Sequence, residues 1–222
     1  MTNPNFKPVR KIGISSRSIV GTVPTLGKYE SSLERDFMEL IRFDKNVHLY
    51  TPQPITIAYR DAQGKTRRYT PDGFIQYRRD IMPAIQMPHT LCEIKYRTDL
   101  GTKWQELLPK WRAARRHCAQ NGWKFMVITE REIRTPYLEN VRFLWPYRSG
   151  DNANAVLADE MLHHISEMRE TDPEALLCTM FRDRWNRATA LPTLWYLISN
   201  FQIGCDLMRP LGMKSTIWKL ED

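Results

Sequence analysis

Apolar residues in the first two thirds of the chain change their spacing several times, and each change marks an element. Leu33, Phe37, Leu40 and Ile41 recur at helical spacing, which predicts an amphipathic helix over 30–44 with Ser31 or Ser32 as its cap. Strand-like runs follow: VHLY (47–50), ITIAYR (55–60), TRRY (66–69), GFIQY (73–77) and LCEIKY (91–96), with DAQGK (61–65) as a turn between two of them. WQELLPKWRAARRHC (104–118) returns to helical spacing, interrupted by Pro109 and closed by Asn121-Gly122. KFMVIT (124–129) predicts a buried strand, and TPYLENVRFLW (135–145) a last helix or turn. Helix, strands, helix, strand in that order imply an α/β fold, a mixed sheet flanked by helices.

Beyond YRSGDN (147–152), a plausible linker, the pattern shortens. Three helices are expected at about 152–169, 173–187 and 192–201, with Asp151 and Asp172 as N-caps and Pro173 in a first helical turn. IGCDLMRPLGMKSTIWKL then reads as two strands around a Pro-Leu-Gly turn. Three helices and a hairpin make a small winged-helix-like C-terminal domain. The chain thus divides into a basic N-terminal arm (1–28), an α/β domain (29–148) and a small helical domain (149–222).

Composition narrows the classes. The 222 residues, 42 % hydrophobic, suffice for one sizeable core or a domain plus an appendage. No apolar run approaches the ~20 residues needed to cross a bilayer, and there is no apolar signal core, so a cytoplasmic protein without membrane contact is expected. Cys92, Cys118, Cys178 and Cys205 lack paired spacing, which argues against a disulfide scaffold or a zinc site. GTVPTLGK (21–28) is one residue too long between its glycines for a phosphate-binding loop, and Tyr29 replaces the required Ser or Thr.

The net charge of +8 raises the prospect of a polyanionic partner, and its distribution says more. Residues 1–150 hold 26 Lys and Arg against 14 Asp and Glu, while 151–222 hold 7 against 11. A change of sign at one boundary implies two units with different partners. The arm contributes Lys7, Arg10, Lys11, Arg17 and Lys28 and no acid, as expected of a segment that orders on binding or lies across the surface.

Glu93 and Lys95 stand two apart on a predicted strand, so their side chains share one face while Cys92, Ile94 and Tyr96 take the other. A carboxylate beside an ammonium on a sheet rim suits divalent-cation binding next to a scissile phosphate. Asp72, after a proline at the start of its own strand, would add a second carboxylate for Mg²⁺, which prefers hard oxygen ligands. Each motif alone is common: Pro-Asp-Gly is an ordinary turn, and an acid two residues before a lysine arises by chance. No other lysine in this chain has such an acid, however, and this one precedes the long helix.

Glu34 on the first helix, Asp72 in TPDGF, and Glu93 with Lys95 in CEIKY follow the order of the PD-(D/E)xK nuclease superfamily. YESSLERDFMELIRFD, TPDGF, EIKY and WKFMVITEREIR resemble, more narrowly, the TnsA-type endonuclease subunit of heteromeric cut-and-paste transposases, over about residues 29–145. The resemblance implies a restriction-endonuclease-like fold and hydrolysis of phosphodiester bonds at the 5′ ends of a transposon. It implies Mg²⁺, with Mn²⁺ able to substitute, held by Asp72, Glu93 and Glu34, with Lys95 acting on the water. It implies three partners: double-stranded DNA at transposon ends, a DDE transposase that cuts and joins the 3′ ends, and an AAA+ ATPase regulator. The setting would be the bacterial nucleoid. A stand-alone restriction-type or junction-resolving nuclease of the same fold, and a non-catalytic DNA-binding adaptor, are the alternatives.

Basic residues near these motifs are candidate phosphate contacts: Lys28, Arg67, Arg68, Arg78 and Arg97, and Lys103, Lys110, Arg112, Arg115 and Arg116 on the helix at 103–118. A solvated helix face is the competing account of the last five. The acidic balance of 151–222 points to protein contact there, with Arg182, Arg184 and Arg187 its local basic patch.

Overall fold

Period-two segments of the N-terminal part become a sheet clamped between helices in the computed structural model, which describes residues 4, 6–9 and 21–220. The elements run β1 (Gly21–Val23), β2 (Gly27–Tyr29), α1 (Ser32–Phe43), β3 (Val47–Pro52), β4 (Ile57–Arg60), β5 (Thr66–Tyr69), β6 (Gly73–Tyr77), β7 (Thr90–Ile94), α2 (Arg97–Asn121), β8 (Lys124–Ile128) and α3 (Glu130–Ile133). The main sheet has the order β3-β6-β7-β8, with β7 and β8 parallel and the other neighbours antiparallel. α2 makes the crossover that a parallel pair requires. The near-miss glycine loop is the β1–β2 hairpin.

Alternation along the strands divides the core in two. Cys92, Ile94, Ile75 and Ile128 pack with Leu33, Phe37, Met38 and Ile41 of α1 and with Ile133 of α3. Leu91 and Phe74 pack with Leu107, Trp111, Ala114 and Cys118 of α2, and with Ile57 and Tyr69 of the β4–β5 hairpin. Ser31 caps α1 by accepting from the Glu34 N–H, and Gly122, at φ 69°, ends α2 in the left-handed conformation that glycine adopts without strain. Buried Asp36 on α1 is bridged to Arg134 beyond α3 at 2.9 Å, tying the two helices together.

Two expectations need revision. α2 begins seven residues earlier than its apolar spacing suggested, because a kink at Lys103 (φ −116°, ψ 16°) joins a short lead-in to the main helix. β8 is half-buried rather than buried, because it is the sheet's edge strand and has one neighbour. The described part of the basic arm lies on the sheet: Phe6 packs edge-on against Phe74 at 5.0 Å, and Gln76 donates to the Pro4 carbonyl. Arg10, Lys11 and Arg17 lie outside the described residues.

The second compact unit begins at Thr135, ahead of the expected linker. Its elements are α4 (Pro136–Leu144), α5 (Ala155–Met168), β9 (Glu170–Thr171), α6 (Pro173–Met180), α7 (Arg184–Ser199), β10 (Ile203–Cys205) and β11 (Ile217–Lys219). α4 belongs here because buried Asn140 donates to the carbonyls of Leu207 and Arg209 and accepts from the Leu211 N–H. The three-stranded antiparallel sheet has the order β10-β11-β9, with 206–216 as the wing of a winged-helix-like unit. Asn154, not Asp151, caps α5, and Asp172 caps α6 with Pro173 following it. α6 stops at Met180 and Asp183 caps α7, so the third helix starts eight residues before the expected 192 and carries Pro192 inside it.

Candidate active site

Three of the predicted residues meet at the C-terminal end of β7. The Pro-Asp-Gly turn enters β6 beside it, so Asp72 Oδ2 accepts the Ile94 N–H at 2.7 Å. Gly73 permits this approach: a Cβ there would run into the ring and hydroxyl of Tyr50. Lys95 Nζ stands 3.4 Å from both Asp72 Oδ2 and Glu93 Oε1, and donates to the Ile94 carbonyl at 3.1 Å. Glu93 is almost fully buried, at 1 % exposure.

Glu34 stands apart. Its carboxylate accepts from the Glu30 N–H at 2.9 Å and the Ser31 hydroxyl at 3.0 Å, so it doubles as part of the helix cap. It acts on Asp72 and Lys95 through charge rather than contact. Among the described residues, no three His, Cys, Asp or Glu side chains form a metal-holding group.

Burial, then the neighbouring Glu93, pushes Asp72 up to about 7, with Lys95 and the Ile94 N–H pulling the other way. Burial works against the Lys95 ammonium, but Asp72 and Glu93 outweigh it and hold its pKa above the usual lysine value. Glu34 is raised from its ordinary value, chiefly by burial. Glu93 and Glu34 thus place negative charge around the Asp72 carboxyl. The hard oxygens of these carboxylates, two from separate strands, fit one divalent cation completed by substrate phosphate and water.

Two neighbours of Glu93 went unrecognised in the sequence. Tyr69, at the end of β5, donates its hydroxyl to Glu93 Oε2 at 2.6 Å. Lys110, expected among phosphate contacts, instead reaches inward to 3.4 Å from Glu93 Oε1 and lies over the Tyr69 ring at 4.9 Å. A usable signal existed: Lys110 is three residues from Leu107 and four from Ala114, flanking the buried stripe of α2.

The other candidate phosphate contacts fall into two groups. Arg67, Arg78 and Lys103 are paired with Asp61, Asp80 and Asp99. Lys28, Arg68, Arg97, Arg112, Arg115 and Arg116 are exposed. Arg112 and Arg116 line, with Arg60, a recess of about 720 Å³ between α2 and the β4–β5 hairpin.

Acids and a lysine gathered at one strand end of a mixed sheet, beside a β-α-β crossover, define a nuclease of the restriction-endonuclease-like fold. Comparison with protein families makes the identification narrower. Residues 44–130 match the family described as TnsA-like endonuclease N terminal, and residues 132–207 match TnsA endonuclease C terminal. The chain belongs to the TnsA endonuclease family and is a transposon-associated DNA endonuclease. Asp72, Glu93, Lys95, Tyr69 and Lys110 fall within the first match, and Glu34 precedes it. No curated protein matches the chain.

Proposed function

We propose that this chain is the Mg²⁺-dependent subunit of a heteromeric cut-and-paste transposase that hydrolyses phosphodiester bonds at the 5′ ends of the transposon. The observation that carries this reading is that Lys95 Nζ stands 3.4 Å from the carboxylates of both Asp72 and Glu93, at the ends of adjacent strands. Asp72 and Glu93 would hold the cation, with Glu34 completing the negative environment from α1. Bound there, Mg²⁺ would supply Lewis-acid polarisation of the phosphate and lower the pKa of a bound water.

Lys95 serves as a fixed cation in this scheme. Its two carboxylate neighbours favour the ammonium form, so it donates hydrogen bonds to the attacking water or the phosphate and offsets developing charge. General-base action by Lys95 is disfavoured for the same reason. Exposed Arg68, Arg97, Arg112, Arg115 and Arg116, with Lys28, would contact backbone phosphates, giving affinity without sequence readout. The 135–222 unit would recruit the DDE transposase or the AAA+ regulator, consistent with Trp185 standing 80 % exposed on the first turn of α7.

The test is a reaction assembled from this chain, the transposase and a duplex carrying the transposon ends, each strand separately labelled. Cuts are expected on the 5′ strands, present with Mg²⁺ and abolished by EDTA. Cuts on the 3′ strands by this chain, or cleavage that persists in EDTA, would overturn the proposal.

A further inference from the structure

Glu93 is surrounded by more positive charge than a metal ligand needs. Two ammonium groups, from Lys95 and Lys110, stand 3.4 Å from the same oxygen, Oε1, while Tyr69 occupies Oε2. Lys110 is no surface residue: its side chain is 20 % exposed, its stem runs inward from α2, and the Tyr69 ring supports its head. A divalent ion at Glu93 and Asp72 would compete with these ammonium groups for the same carboxylate charge and would be repelled by them. One ammonium must yield.

The contacts identify which. Lys95 is held by three acceptors: Asp72, Glu93 and the Ile94 carbonyl. Lys110 has Glu93 and a ring face, and a flexible four-carbon stem. We propose that Lys110 is a stand-in cation: it neutralises Glu93 while the site is unloaded, and transfers to a substrate phosphate when metal and DNA arrive. Lys110 would thereby couple the two binding events, disfavouring metal without DNA and favouring it once a phosphate accepts the displaced charge. This rests on the metal-dependent reading above.

The test uses the full chain and the variants Lys110→Met, which keeps the stem and removes the charge, and Lys110→Arg. Mn²⁺ binding is measured by calorimetry without DNA, and duplex binding by fluorescence anisotropy over a range of salt, with Mn²⁺ and in EDTA. Lys110→Met is expected to bind Mn²⁺ at least about threefold more tightly than the wild type, because a competing cation is gone. With Mn²⁺ present it is also expected to bind duplex more weakly than the wild type, with a salt slope reduced by about one, while in EDTA the two should bind duplex alike. Lys110→Arg should follow the wild type. Unchanged or weaker Mn²⁺ binding by Lys110→Met, with or without a lowered melting temperature, would overturn the inference while leaving the metal site standing. If wild type shows no Mn²⁺ binding that is lost in Asp72→Asn, the metal reading itself fails and takes this inference with it.

Discussion

Asp72 is the residue at which sequence, fold and chemistry meet. Its turn was legible because Pro-Asp-Gly before an apolar run marks a strand entry, and Glu93 and Lys95 were legible because a strand's period of two puts them on one face. Tyr69 and Lys110 were harder to see, since a tyrosine in TRRY and one lysine among five helical cations carry no local mark. Their roles depend on how the β4–β5 hairpin and α2 pack on the sheet. Asp72 also yields a pH prediction. Its folded value, about 7, lies above the ordinary 3.8, so the stabilising contribution is fully present below about 4 and lost as pH rises through about 7. In EDTA the wild-type melting temperature should therefore fall between pH 5 and pH 8 through this group. Asp72→Asn should flatten that fall by several degrees in calorimetry, and an unaltered profile would show that Asp72 is not held protonated.

At the scale of elements, period and capping located most of the first unit correctly, and the misses have physical causes. β8 carries the apolar run of a buried strand but sits at the sheet's edge, a fact of topology that its own residues do not encode. The sequence pattern put the third helix at about 192–201, yet Asp183 supplies the cap and tertiary packing of Leu194, Leu197 and Ile198 carries α7 through Pro192. The short β9 has too few residues for any periodic signal. The β5–β6 junction makes a direct prediction. Gly73→Ala should lower stability by roughly 1–3 kcal/mol in urea unfolding, because the new methyl must displace buried Tyr50. Cleavage should drop further than stability, since the same shift moves Asp72. Wild-type activity in a stably folded Gly73→Ala would detach the turn from the site.

Across the whole molecule, the change of charge sign along the chain coincides with a division into two units, although the boundary lies at 134/135 rather than in the 147–152 stretch. The basic unit holds the candidate site, and no helix among the described residues is long and apolar enough to cross a membrane. If the second unit recruits partners, deleting 135–222 should abolish co-purification of the transposase by this chain. Recruitment that survived the deletion would move the docking surface to the first unit. The central claim is that Asp72 and Lys95 perform the cleavage, and it is tested most directly by following 5′-strand cutting of transposon ends in the presence of transposase. Asp72→Ala and Lys95→Ala, each confirmed as folded, should reduce that cutting by at least about a hundredfold. Cutting at the wild-type rate by both variants would contradict the account.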